Sequence, residues 1–155
     1  MRKVKLIKIC CGEWDDASHD KRELSVCKDL GAKVIVYVGV QSEDQLRNLF
    51  LASTIFVMPS FHETFGLVYA EAMSQGLPVI YTQGQGFDRQ FDEGVVGYHV
   101  DANNPKDIAD KVLKILNNFK QISENCTTQC HKFDWGNIAS QYYEIYEQIS
   151  SALSM

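Results

Sequence analysis

Two hydrophobic patterns alternate along this chain. Short, nearly continuous apolar runs at residues 34–38, 54–58 and 78–81 are rich in β-branched and aromatic residues, as in strands of a buried parallel sheet. Between them, apolar residues recur every three or four positions, which predicts helices with one buried face. Residues 4–11 predict a first strand ending at Gly12. A helix follows from the cap candidates Asp15, Asp16 and Ser18 to about Leu30, with Gly31 just past its end. Ser42 and Gln45 form a capping box for a helix whose inner face is Leu46, Leu49 and Phe50. After the strand at 78–81, residues 82–86 predict a flexible loop and residues 87–92 one or two helical turns before Gly94. Residues 97–100 predict a short last strand. Three helices then close the chain. The first has Pro105 at its first position and Ile108, Val112, Ile115 and Leu116 inside; the second spans residues 119–129. The third opens near Asp134 or Trp135, with Ile138, Tyr142, Ile145, Tyr146 and Ile149 at helical spacing. Strands alternating with helices define an α/β, doubly wound, Rossmann-like parallel sheet closed by C-terminal helices.

The 155 residues suit one domain spanning 1–155, without repeats or a separating linker. A net charge of −5 offers no nucleic-acid footprint. No apolar run reaches the ~20 residues of a membrane span. The basic start at Arg2, Lys3, Lys5 and Lys8 resembles a signal peptide only briefly, because Lys8 interrupts it, so a cytoplasmic location is expected. Five cysteines, with Cys10 and Cys11 adjacent, fit reduced core thiols better than a disulfide framework. Cys126, Cys130 and His131 lack the further ligands of a zinc site, so no metal is expected. The sequon at Asn125 is expected to be idle.

The chemistry concentrates at residues 59–79, PSFHETFGLVYAEAMSQGLPV. The order is strand, turn with Glu63, helix with Glu71, strand. In an open parallel sheet, ligands lie beyond the carboxyl ends of the strands, where this turn falls. A helix starting near Phe65 or Gly66 presents unpaired N–H groups that suit a phosphate. Glu71 then lies about 7 Å along the axis from Gly66. Two carboxylates flanking a diphosphate position suit a ligand with a hydroxyl-rich ring at each end, which is the shape of a nucleotide sugar. Singly, Glu63 could as well cap its own helix and Glu71 be an ordinary exposed residue. His62 reads as a lining or solvated residue, and His19, His99 and His131 stand in no motif.

The spacing Glu63-x7-Glu71, set among Pro59-Ser60, Phe65-Gly66-Leu67, Glu71-Ala72-Met73 and Gly76-Leu77-Pro78-Val79, resembles the E-x7-E signature of retaining GT-B glycosyltransferases of family 4, or group 1. Gly12, Val38-Gly39-Val40 and Phe133-x-Trp135 extend the resemblance along most of the chain. It implies the donor-binding C-terminal half of a GT-B enzyme, taking a UDP-, GDP- or ADP-sugar and needing no metal or other cofactor. By that resemblance Glu63 is the catalytic carboxylate facing the donor sugar and Glu71 binds the ribose. Thr64, Phe65, Gly66 and Leu67 line the diphosphate, Gly12 is a further donor-binding residue, and Val38, Gly39 and Val40 meet the base. Two departures touch sugar recognition: Gln85 separates Gly84 from Gly86, and Arg89 stands where many relatives carry an acidic residue.

The resemblance also implies an acceptor-binding N-terminal domain, or a separate chain in its place, through which any peripheral membrane association would run. Without the family's first strand and helix, the sheet is expected to lack its centre. Neighbouring strands would re-pair, or another segment would fill the gap. Two other readings fit: a non-catalytic nucleotide-sugar-binding subunit of a split enzyme, and a sugar-nucleotide epimerase of the same architecture.

Overall fold

A computed structural model of the chain describes residues 40–153. Helix α1, Glu43–Ala52, begins at the reciprocal capping box read from the sequence. Gln45 N–H donates to Ser42 Oγ at 3.4 Å, and Ser42 N–H donates to Gln45 Oε1 at 2.9 Å. Phe50 carries its inner face into the core, edge-on to Phe56 with ring centroids 5.7 Å apart. The strand that follows is shorter than expected: β1 is only Phe56–Val57. Ser53 still belongs to the helix end, its N–H donating to Phe50 O at 2.9 Å and its hydroxyl to Leu49 O at 2.6 Å. Pairing starts only when Phe56 N–H reaches Pro78 O, and it persists through Met58 N–H to Ile80 O.

Strand β2, Val79–Thr82, is buried at every position and pairs in parallel with β1 on one side and β3, Gly97–Val100, on the other. Burial on both faces accounts for its unbroken apolar sequence. Helix α2, Leu67–Ser74, connects β1 to β2 and buries Tyr69, Ala72 and Met73. It stops at Gln75 because Gly76 turns left-handed, with φ of 77°.

Helix α3, Pro105–Asn117, is capped by Asn104, whose side chain accepts from Asp107 N–H at 3.2 Å; Ile108, Val112 and Ile115 are buried and Leu116 half-buried. Helix α4, Phe119–Gln129, is stitched to the sheet. Ser123 Oγ donates to Gly76 O at 2.7 Å, Asn125 Nδ2 to Val95 O at 2.9 Å, and Cys126 Sγ to Val96 O at 3.3 Å. The sequon asparagine is thus already committed to a backbone carbonyl. Cys126 and Cys130 are buried, free thiols, the latter in a 3-10 turn, Cys130–Phe133. Helix α5, Trp135–Leu153, has the predicted apolar spacing, yet none of its residues is buried.

Residues 82–92 differ from expectation. The segment 87–92 forms turns rather than helix, because Arg89 adopts a left-handed φ of 66° that no helix accommodates. The loop at 82–86, expected to be flexible, is instead tied on both sides by hydrogen bonds described below. The predicted elements at 4–11, 15–30 and 34–38, and the question of the sheet's missing centre, lie outside the described residues. No helix among the described residues is long and apolar enough to cross a membrane.

Candidate functional site

The turn between β1 and α2 lies at the carboxyl end of β1 and is held by its carbonyls. Met58 O accepts from the Tyr69 hydroxyl at 2.6 Å, Ser60 O from Thr82 Oγ1 at 2.8 Å, and Phe61 O from Gln85 Nε2 at 3.1 Å. Glu63 is bound through both backbone groups: its N–H donates to Gln85 Oε1 at 2.8 Å and its carbonyl accepts from Gly86 N–H at 3.4 Å. An aromatic cluster supports the turn from below. Tyr69 packs on Phe87 with centroids 4.7 Å apart, Phe87 on Tyr81 at 5.1 Å, and Phe65 on Phe133 at 5.5 Å. Burial pushes the Tyr69 phenol far above its ordinary value, with a lesser contribution from the Glu63 charge opposed by a Ser60 hydrogen bond. It therefore stays protonated and remains a donor to Met58.

Within that frame the expected site residues separate. Glu63 is half-buried, and its Oε1 accepts from Phe65 N–H at 3.3 Å, so one carboxylate oxygen closes the turn locally. Phe65 precedes the Gly66 cap position and the helix has no side-chain cap, so Glu63 closes the turn without capping α2. The second oxygen accepts no hydrogen bond from another described residue. Thr64 is exposed and Phe65 half-buried; Leu67, 58% exposed, opens the helix. Gly66 stands at the cap position with φ of 79°. A Cβ there would meet the Tyr69 ring at 2.5 Å, so the glycine is required by the left-handed backbone and by Tyr69 packed against it. Glu71 is exposed in the middle of α2, and its side chain has no partner among the described residues. Val40, at the first described position, is 74% exposed. Gly12, Val38 and Gly39 lie outside the described residues, and so does the base side of the expected site.

The connection from β2 to β3 supplies residues that the motif did not point to. Gln85 bridges to the Glu63 turn as described. Gly86 presses so closely on the Thr64 carbonyl that a Cβ would collide with it. Asp88 accepts from Gly84 N–H at 2.8 Å and Arg89 N–H at 3.1 Å, and pairs with His99 Nδ1 on β3 at 3.0 Å. Burial raises the Asp88 carboxyl, but the Gly84 N–H, His99 and Arg89 N–H together outweigh it and hold the group below its ordinary value. Glu93 adds a second contact to His99 at 3.4 Å and pairs with Lys111 at 3.4 Å. Beside Gln85, an open polar crevice of about 230 Å³ is lined by Phe61, Thr82, Gln83, Asp101 and Asn103. The described residues contain no cluster of three or more His, Cys, Asp or Glu that could hold a metal.

A parallel sheet with a carboxylate-bearing turn before a helix start at its strand ends makes this an α/β protein, a class whose ligands lie at that edge when they bind. The narrower placement comes from comparison with known proteins. Residues 3–130 match the family described as glycosyl transferases group 1, and the chain belongs to that family. It is 30% identical over 126 residues to D-inositol 3-phosphate glycosyltransferase of Corynebacterium kroppenstedtii, covering 79% of this chain and 28% of the relative. With the corresponding enzyme of Corynebacterium jeikeium it shares 29% identity over 149 residues, 93% of this chain and 36% of the relative. The chain thus spans about a third of the length of these relatives. Among solved structures it resembles sucrose-phosphate synthase from Thermosynechococcus elongatus, with TM-score 0.67, 25% identity, and 87% of this chain on 35% of that one. It also resembles the C-terminal domain of a group 1 glycosyl transferase from Francisella tularensis, with TM-score 0.62, 23% identity, and 77% of this chain on 64% of that one. The fold is therefore the α/β fold shared with GT-B glycosyltransferases.

Proposed function

We propose that this chain is the donor-binding part of a retaining glycosyltransferase, which moves a sugar from a nucleoside diphosphate to an acceptor bound largely by residues outside it. The observation that carries this reading is the Glu63 turn, fixed at both backbone groups at the carboxyl end of a parallel strand. HepE of Anabaena, a solved structure of the same fold at 22% identity and TM-score 0.63, was crystallised with UDP-glucose, covering 87% of this chain and 38% of that one. In this reading the diphosphate rests at the start of α2, on amides of Gly66 and Leu67 and beside Thr64 and Phe65. Partial positive charge there stabilises the leaving diphosphate as the glycosidic bond breaks, without a metal. Glu71 receives the ribose hydroxyls, and the second oxygen of Glu63 faces the donor sugar. The bond to the sugar re-forms on the same face from the acceptor oxygen, whose proton passes to the departing diphosphate oxygen.

The test is calorimetric titration with UDP, GDP and ADP and their glucose conjugates, on wild type and Glu71→Ala, with and without EDTA. One nucleotide series should bind wild type, bind equally in EDTA, and bind Glu71→Ala at least about tenfold more weakly. Failure of all three, or unchanged binding to Glu71→Ala, removes the donor assignment. Release of a converted nucleotide sugar without added acceptor would favour the epimerase reading instead.

A further inference from the structure

We infer that Gln85 is a positioning residue that sets the Glu63 carboxylate toward the donor sugar. This inference rests on the donor-site reading above and adds a residue that the Glu63–Glu71 motif does not contain. The side chain crosses from the β2–β3 connection to the β1–α2 turn and binds it twice. Its Oε1 accepts from Glu63 N–H at 2.8 Å, and its Nε2 donates to Phe61 O at 3.1 Å. The two bonds demand opposite polarities at the two ends of one planar group. An amide meets that demand; a carboxylate lacks the donor and an amine lacks the acceptor.

The platform beneath Gln85 is fixed independently. On one flank Gly84 N–H is held by Asp88, itself paired with His99 on β3. On the other, Gly86 lies against the Thr64 carbonyl and donates to Glu63 O at 3.4 Å. The turn is thereby clamped across residues 61 to 63 by a single side chain. Only one Glu63 oxygen is consumed locally, by Phe65 N–H, so the backbone position of Glu63 decides where the other points. Gln85 acts on the donor through that backbone and is not a group that reacts.

Two measurements test this. The first is site-resolved amide hydrogen exchange on wild type and Gln85→Ala without ligand. The Glu63 N–H should exchange at least about tenfold faster in the variant, while amides of β2 keep their protection. Unchanged exchange at Glu63 overturns the inference whatever the ligand proves to be, and loss of protection in β2 would reveal a merely structural residue. The second is a double-mutant cycle, read by titration with UDP and UDP-glucose, or whichever nucleotide pair binds wild type. Gln85→Ala should weaken the sugar conjugate at least about tenfold, leave the free nucleotide unchanged, and add nothing in a Glu63→Ala background. Additive losses, or equal losses for both ligands, overturn it. If wild type binds no nucleotide sugar, the donor reading fails and the positioning of donor fails with it, while the exchange result still decides whether Gln85 holds the turn. Gln85→Glu, which keeps the acceptor and loses the donor, should release Phe61 O and reproduce part of the alanine phenotype; wild-type behaviour would exclude the two-ended clamp.

Discussion

At the scale of single residues, the glycines of the turn and the Asp88 carboxyl carry the sharpest expectations. Gly66→Ala forces a side chain into left-handed backbone and against the Tyr69 ring. Strain of about 1–3 kcal/mol follows, read as a lowered urea midpoint with unchanged slope. Asp88 titrates below its ordinary value in the folded chain, whereas the unfolded carboxyl titrates near 3.9. Its contribution is therefore complete above about pH 4 and is lost as pH falls through the lower folded value. Asp88→Asn should remove that part of the acid slope in chemical unfolding below about pH 4; an unchanged slope would show that the pairing with Gly84 and His99 does not stabilise the fold. Cys126 is pushed up to about 12 by burial, chiefly, and by Cys130 beside it, so little thiolate forms. Alkylation at pH 8, followed by peptide mass spectrometry, should leave Cys126 unmodified in the native chain and label it fully in urea.

Elements were legible wherever local chemistry and the hydrophobic period agreed. The capping box at Ser42 and Gln45, Pro105 after Asn104, and the inner stripe of α3 all stand as read, because each depends on neighbours within one turn. Ile115→Ala should cost about 2–5 kcal/mol by opening a cavity, against no more than about 0.5 kcal/mol for the exposed Leu113→Ala, both measured by urea unfolding. Misreadings fell where distant partners decide. β1 shrank because its pairing waits for Pro78 and Ile80 on another strand. The segment 87–92 has helical spacing, yet Phe87 is drawn into the cluster of Tyr69, Tyr81 and Phe133 and Arg89 leaves the helical region. Composition predicts a flexible Gly84–Gly86 loop; its tethers to the Glu63 turn reach residues about 22 positions earlier.

For the whole molecule, α5 is the outlying part. It shows a periodic apolar face, but Trp135, Tyr142, Tyr143 and Tyr146 are all more than half exposed. Every residue from 141 to 153 is exposed. Truncation after residue 140 should therefore shift the melting temperature by no more than about 2 °C, by calorimetry. A larger drop would mean that α5 contributes to the core. The chain covers about a third of the length of its D-inositol 3-phosphate glycosyltransferase relatives, so its helix spacing alone could not reveal which faces the rest of such a protein would cover.

By itself the sequence determined the alternation of strands and helices seen in the described residues, the family, and the placement of Glu63 before a helix and Glu71 within it. Each of these is encoded in residue type and short spacing. Only the tertiary structure decided how the Glu63 turn is held. Its carbonyls and amides are bound by Tyr69, Thr82, Gln85 and Gly86, which come from α2, β2 and the loop after it. Hydrogen bonds of that kind depend on which backbone groups folding brings opposite one another, and no local pattern records them. Gln85 stood in the sequence as an interruption between two glycines; in the fold it is the side chain that clamps the turn.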